Sequence, residues 1–211
     1  MNTRERILRR VIAGSRGNAN AAAVERAIAA PQRGPAPTID GDLAALFCQR
    51  AAALASDVVR VGASTGVPAA LASYLDRHEI AHRAVCWSEL LSLPWAAQGV
   101  SVEARAPRAD DLVGVTGTFA AIAETGTLML LSGATTPAAV SLLPETHVAV
   151  VRADQLVATM EDGFARLRAT HAAIPRAVNF VSGPSRTADV EQTVTLGAHG
   201  PRRVLIVLVE R

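Results

Sequence analysis

The chain contains no lysine: all 21 of its basic residues are arginine. A Schiff-base enzyme, a pyridoxal-phosphate anchor and a Walker-type phosphate lysine are therefore all excluded. Cysteine is nearly absent too. Cys48 and Cys86 are far apart in apolar segments, read as two buried thiols, and supply no iron–sulfur ligand set. Aromatic residues make up only 3% of the chain, and the hydrophobic half is mainly alanine, valine and leucine, a composition suited to helices packed on a central sheet.

No charge of either sign dominates. The formal net charge is +2, and the arginines are scattered rather than gathered with aromatics, so capture of nucleic acid is not expected. The opening MNTRERILRRVIAG is charged and amphipathic, with no apolar core leading to a cleavage site, so it does not read as a secretory signal. The longest charge-free stretch, Thr125 to Pro144, is broken by Gly, Pro, Ser and Thr and is a poor bilayer span. A soluble, cytoplasmic protein without a membrane span is expected.

At 211 residues the chain fits one domain with a short appendage. Helical spacing over Thr3–Ile12 and Asn20–Ala30, then the Pro- and Gly-rich segment Pro31–Asp42, predict an N-terminal helical extension and linker over residues 1–41. Residues 42–211 are expected to form the main domain. Its sequence alternates DVVRV, the turn GASTG, a helix from Pro68 and the strand-like IAHRAVCW, which is strand–loop–helix–strand logic. VSVEA, two or three short strands within LVGVTGTFAAIAETGTLMLLSG, a helix from Gln155 to about Thr170, and the doubly buried run VLIVLV complete the pattern. The fold class is α/β, an open and mostly parallel sheet flanked by helices.

Three polar clusters stand at predicted strand ends, where such sheets bind ligands. Ser64 and Thr65 lie in GASTG before a helix, which makes either an anion-binding turn or an ordinary capped βα turn. Glu124, Thr125, Gly126 and Thr127 can form a tight turn that aims a carboxylate and two hydroxyls outward, for catalysis, for clamping an arginine, or simply as a solvated hairpin. Ser182, Gly183, Ser185, Arg186 and Thr187 open SGPSRTADVEQT, in which Ser185 or Thr187 can cap a helix carrying Asp189 and Glu191. Arg186 is a forked receptor for a carboxylate or phosphate, or the structural partner of Asp189 or Glu124. His147 and His199 each precede a predicted strand, either as hydrogen-bonded structural residues or as site residues, and no zinc spacing is present.

The segments AIAETGTLML, SLLPETHVAVV and SGPSRTADVEQTVTLGAHGPRRVLIVLV resemble the signature blocks of the lactate-utilisation (LUD) domain family, from about Val113 to the end. The resemblance implies a fold similar to the ribose-5-phosphate isomerase, glucosamine-6-phosphate deaminase and CoA-transferase group. It further implies a role in oxidising L-lactate to pyruvate with partner proteins. Larger LUD proteins add a ferredoxin-like module with cysteine clusters, which this sequence does not offer, so no cofactor is expected here and the iron–sulfur clusters are expected in the partners. On that basis Glu124 is the candidate catalytic residue. The candidate ligand-binding set, for a small carboxylate or phosphate-bearing ligand, is Thr125, Gly126, Thr127, Ser182, Gly183, Ser185, Arg186, Thr187, His147, Ser64 and Thr65. The alternatives are a stand-alone isomerase or acyl/CoA transferase using Glu124, and a non-catalytic scaffolding subunit.

Overall fold

The computed structural model describes residues 2–14, 21–30, 38–187 and 195–211, and the chain divides into two units, residues 1–36 and 37–211. The smaller unit carries helices α1 (Thr3–Gly14) and α2 (Ala21–Ala29). Helix α1 begins with a reciprocal cap: Glu5 N–H donates to Asn2 Oδ1 at 2.9 Å, and Asn2 N–H to Glu5 Oε2 at 3.2 Å. Its apolar residues Ile7, Leu8, Val11 and Ile12 are exposed.

The larger unit opens with α3 (Leu43–Ala53), started by Asp42, whose carboxylate accepts from the Ala44 and Ala45 amides. Strand β1 (Asp57–Val61) follows, and then α4 (Val67–Arg77), with Pro68 in the first turn where its missing N–H costs nothing. The chain continues through β2 (Arg83–Cys86), β3 (Ser101–Ala104), β4 (Val113–Thr116), β5 (Ala120–Ile122), β6 (Thr127–Leu131) and the single turn α5 (Ala139–Leu142). After β7 (Thr146–Arg152) come β8 (Leu156–Val157), α6 (Met160–Thr170), β9 (Val178–Val181), β10 (Arg186–Thr187), β11 (Thr195–Leu196) and β12 (Arg203–Val209).

Six strands form one parallel sheet in the order β1-β12-β7-β4-β2-β3. The run VLIVLV lies inside it, buried on both faces as its composition requires. Along β12 the side chains alternate: Leu205, Val207 and Val209 enter the layer shared with Leu71 and Leu75 of α4, while Val204, Ile206 and Leu208 enter the layer shared with Phe47 of α3. The open, mostly parallel sheet flanked by helices expected from sequence is the architecture found.

A second sheet, β8-β5-β6-β9, is mostly antiparallel and lies over the α3 face. Ala121, Leu128 and Leu130 pack toward the main sheet. Ala120, Ile122 and Met129 pack on the other side against Leu167 of α6. Strands β4 and β5 are adjacent in sequence yet belong to different sheets. The sequence pattern predicts the last long helix from Gln155, whereas α6 starts at Met160. Leu156 and Val157 instead pair with Ala121 and Ile122 of β5. The helix is then launched by a reciprocal cap between Thr159 and Asp162. Strands β10 and β11 form a separate antiparallel pair, so Arg186 and Thr187 are in a strand. The helix expected to carry Asp189 and Glu191 falls on residues outside those described. Among the described residues no helix is long and apolar enough to cross a membrane.

Candidate functional site

The residues singled out in the sequence occupy four different places. Glu124, Thr125, Gly126 and Thr127 form the turn between β5 and β6, and Ser182 and Gly183 follow β9 beside it. Thr127 Oγ1 and Ser182 Oγ are 2.8 Å apart. Gly126 (φ +67°) and Gly183 (φ +82°) both have left-handed backbone, and a Cβ on either would overlap α3's end, at Ala51 N and Leu54 O respectively. Only glycine satisfies both demands. Glu124 is fixed by the same end of the second sheet: its Oε1 accepts from the Met160 amide at 2.9 Å, the first residue of α6. A carboxylate is well placed there, against free amides and the positive end of a helix. Glu124 and Thr125 also line a cavity of about 370 Å³ with Thr38, Asp40 and Arg50.

Ser185 and Arg186 lie at the entrance to β12, where Ser185 N–H donates to Pro201 O at 2.8 Å. Arg186 pairs through its backbone with Leu196, and Thr187 with Thr195. Arg186 is exposed, and the cavity beside Glu124 does not include it. His147 is fully buried in β7, with Nε2 2.8 Å from Thr116 Oγ1 and, among the described residues, no partner for Nδ1; burial pushes its pKa down to about 4. Ser64 and Thr65 are exposed in a 3-10 turn at the opposite, carboxyl-terminal edge of the main sheet.

That edge holds a second constellation. From β2 the chain moves outward to β3, and Leu90 and Trp95 of this connection pack in the α4 layer. From β4 it moves the other way, to β7 and β12, and its connection packs in the α3 layer. The strand order reverses between β2 and β4, and the divergence of the two connections opens a crevice at their carboxyl ends, where open α/β sheets take ligands. A cavity of about 600 Å³ lies there, lined among others by Glu89, Thr118, Phe119, Arg152, Gln155 and Arg166. A smaller lobe of about 250 Å³ shares Glu89, Thr118, Arg152 and Gln155, and reaches Ser64.

Hydrogen bonds hold these walls. Gln155, buried just beyond β7, donates to Thr118 O and accepts from the Arg152 amide at 2.8 Å, tying the end of β7 to the β4–β5 connection. Arg152 presents Nε and one terminal nitrogen to the two oxygens of Asp154, at 3.1 and 3.3 Å. Arg166 of α6 donates to Asp154 O at 2.8 Å and lies over the Phe119 ring at 5.5 Å. Thr118 is 5% exposed, and among the described residues its hydroxyl has no hydrogen-bond partner. Two guanidinium groups, the exposed carboxylate of Glu89 and the Thr118 hydroxyl around one cavity can receive a small organic anion.

None of Glu89, Thr118, Arg152, Gln155 and Arg166 was singled out in the sequence. Four of the five follow directly on strand ends, in WSE after β2, GTF after β4 and RADQ at the end of β7, so listing the first polar residues after each strand would have found them. Arg166 comes from a helix face and has no such signal. No group of three or more His, Cys, Asp or Glu able to hold a metal occurs among the described residues. Burial pushes the Cys86 thiol up to about 11 and raises Cys48 as well, so neither is primed as a thiolate.

The LUD domain model matches residues 50–209. The chain belongs to the LUD domain family. The match extends upstream of the signature blocks to take in β1, GASTG and α4. Among curated proteins, this LUD chain is 36% identical over 116 residues to lactate utilization protein C of Halalkalibacterium halodurans, covering 54% of this chain and 50% of that one. It is 32% identical over 132 residues to lactate utilization protein C of Bacillus subtilis (57% and 55%). It is 37% identical over 125 residues to the Deinococcus radiodurans protein of the same name (55% and 58%). The chain thus aligns over about half the length of these relatives. The crystal structure of a DUF162 family protein from Deinococcus radiodurans superposes with a TM-score of 0.62 at 24% identity, covering 82% of this chain and 99% of that one, a likeness of fold.

Proposed function

We propose that this LUD chain is the subunit of a cytoplasmic lactate-utilisation system that binds L-lactate while the assembly oxidises it to pyruvate. Electrons leave through iron–sulfur partner proteins. The relatives' shared name, lactate utilization protein C, supports the pathway. The observation that carries the binding role is the meeting of Arg152 and Arg166 at one cavity where the sheet order reverses. In this reading the substrate carboxylate lies against the two guanidinium groups, whose remaining N–H donors suit its planar pair of oxygens. Ser64 is a wall of the smaller lobe, and the clusters stay outside this chain.

Calorimetric titration of L-lactate into wild type, Arg152→Ala and Arg166→Ala tests the assignment. Each substitution is expected to weaken binding by one to two decades, since a charge-assisted hydrogen bond contributes about 1.5–3 kcal/mol. Identical isotherms would remove the arginines from the site.

A second reading, a stand-alone isomerase or acyl/CoA transferase, is favoured by one observation: Glu124 lines a cavity of about 370 Å³ beside Arg50. It requires turnover of a phosphosugar or acyl-CoA by the purified chain, lost in Glu124→Gln.

A further inference from the structure

Glu89 is set apart from the other charged groups of the cleft. Among the described residues no hydrogen bond or ion pair engages its carboxylate. Arg152 by contrast is tied to Asp154 and Arg166 to a backbone carbonyl. Glu89 lines both lobes, so its side chain stands at their junction. Glu89 is exposed, and its side chain occupies the space left open at Gly117. A Cβ there would overlap Glu89 Oε1, so the missing side chain makes room for the carboxylate at the end of β4. The next residue, Thr118, is almost fully buried, lines both lobes and, among the described residues, has no partner for its hydroxyl. A buried polar atom without a partner costs free energy unless a ligand or water satisfies it.

An ionised carboxylate only accepts hydrogen bonds. Lining the same cavity as two arginines, it can act on a group that a bound anion extends away from them. A hydroxyl there can donate to Glu89. A keto oxygen is acceptor-only, and meets the carboxylate with lone pair against lone pair.

We infer that Glu89 sets the specificity of this cleft, selecting 2-hydroxy acids over the corresponding 2-oxo acids through a hydrogen bond from the ligand hydroxyl. This rests on the cleft being the anion site proposed above. The selectivity favours binding of the reduced acid and release of the oxidised one. Loss of a donor opposite a charged acceptor is a difference of about tenfold or more in affinity.

Calorimetric titration of L-lactate and pyruvate into the full chain, as wild type, Glu89→Gln and Gly117→Ala, tests this. Wild type is expected to bind lactate at least tenfold more tightly than pyruvate. Glu89→Gln, whose amide can donate to a keto oxygen, is expected to bring the two affinities within about threefold. Gly117→Ala displaces the carboxylate without removing it and is expected to reduce the ratio similarly. Circular dichroism on both variants confirms that they are folded; if Gly117→Ala is not, Glu89→Gln alone decides. Equal lactate and pyruvate affinities in wild type, or a wild-type ratio unchanged in Glu89→Gln, would overturn the role of Glu89 and leave the anion site standing. Binding of neither acid to wild type would overturn the anion site and this inference with it.

Discussion

Thr116 Oγ1 lies 2.8 Å from His147 Nε2, joining neighbouring strands β4 and β7 inside the core. His147 is fully buried, its Nδ1 has no partner among the described residues, and burial lowers its pKa from 6.5 to about 4. The imidazole therefore folds neutral and serves as a polar packing residue.

A pH dependence follows. Between pH 6.5 and about 4 the unfolded chain binds a proton at this histidine that the folded chain does not, so stability falls as pH falls through that window. The loss from this one group is on the order of 3 kcal/mol. Urea unfolding at pH 7, 5.5 and 4.5 is expected to show this decline in wild type and a shallower one in His147→Gln, which cannot titrate. Parallel pH profiles would show that His147 takes up its proton without unfolding.

Glu124 has a structural task whatever else it does, because its Oε1 receives the first amide of α6. Glu124→Ala is expected to lower stability by about 1 kcal/mol, the usual contribution of a helix cap, or roughly 2–4 °C in Tm for a chain of this size. L-lactate affinity should stay unchanged, since the turn lies at the far end of β5 from Phe119, across a strand of three residues, about 10 Å of extended chain. A selective loss of ligand binding with Tm intact would restore Glu124 to the reacting centre.

Much of this architecture was legible in the chain. The run VLIVLV could only be a strand buried on both faces, Pro68 marked the first turn of α4, and ETGT marked the β5–β6 turn. The division into two sheets was not legible, because β4 and β5 are both short apolar segments around glycines and only long-range pairing separates them. Local pattern also favoured a helix at Gln155, whereas pairing of Leu156–Val157 with β5 overrides it. The cleft was missed for a related reason. Glu89 and Arg152 look like ordinary surface charges until the strand order shows that their strand ends converge.

Gln155 joins the two walls of the cleft, using its carbonyl toward the Arg152 amide and its amide toward Thr118 O. Gln155→Leu keeps the approximate volume but strands both backbone groups, each at a cost of about 1–3 kcal/mol. The variant is expected to melt several degrees lower and to bind L-lactate more weakly, because Thr118 and Arg152 lose their common tether. Lower stability with wild-type affinity would mean that the walls are positioned by the strands alone.

The turn after β5 and the turn after β9 meet α3 in the same way, and that sets up the sharpest stability test. Gly126→Ala and Gly183→Ala each force a Cβ into the α3 backbone and strain a left-handed residue. Two penalties that usually act separately are combined, so each substitution is expected to cost about 2–4 kcal/mol. Gly99 is the internal control. It has φ +69° but open space around its missing Cβ, so Gly99→Ala bears the backbone strain alone, at about 1 kcal/mol. Denaturant unfolding of the three variants should therefore rank Gly99→Ala well above the other two in stability. If all three lose the same amount, the contact with α3 has relaxed and backbone strain is the whole effect.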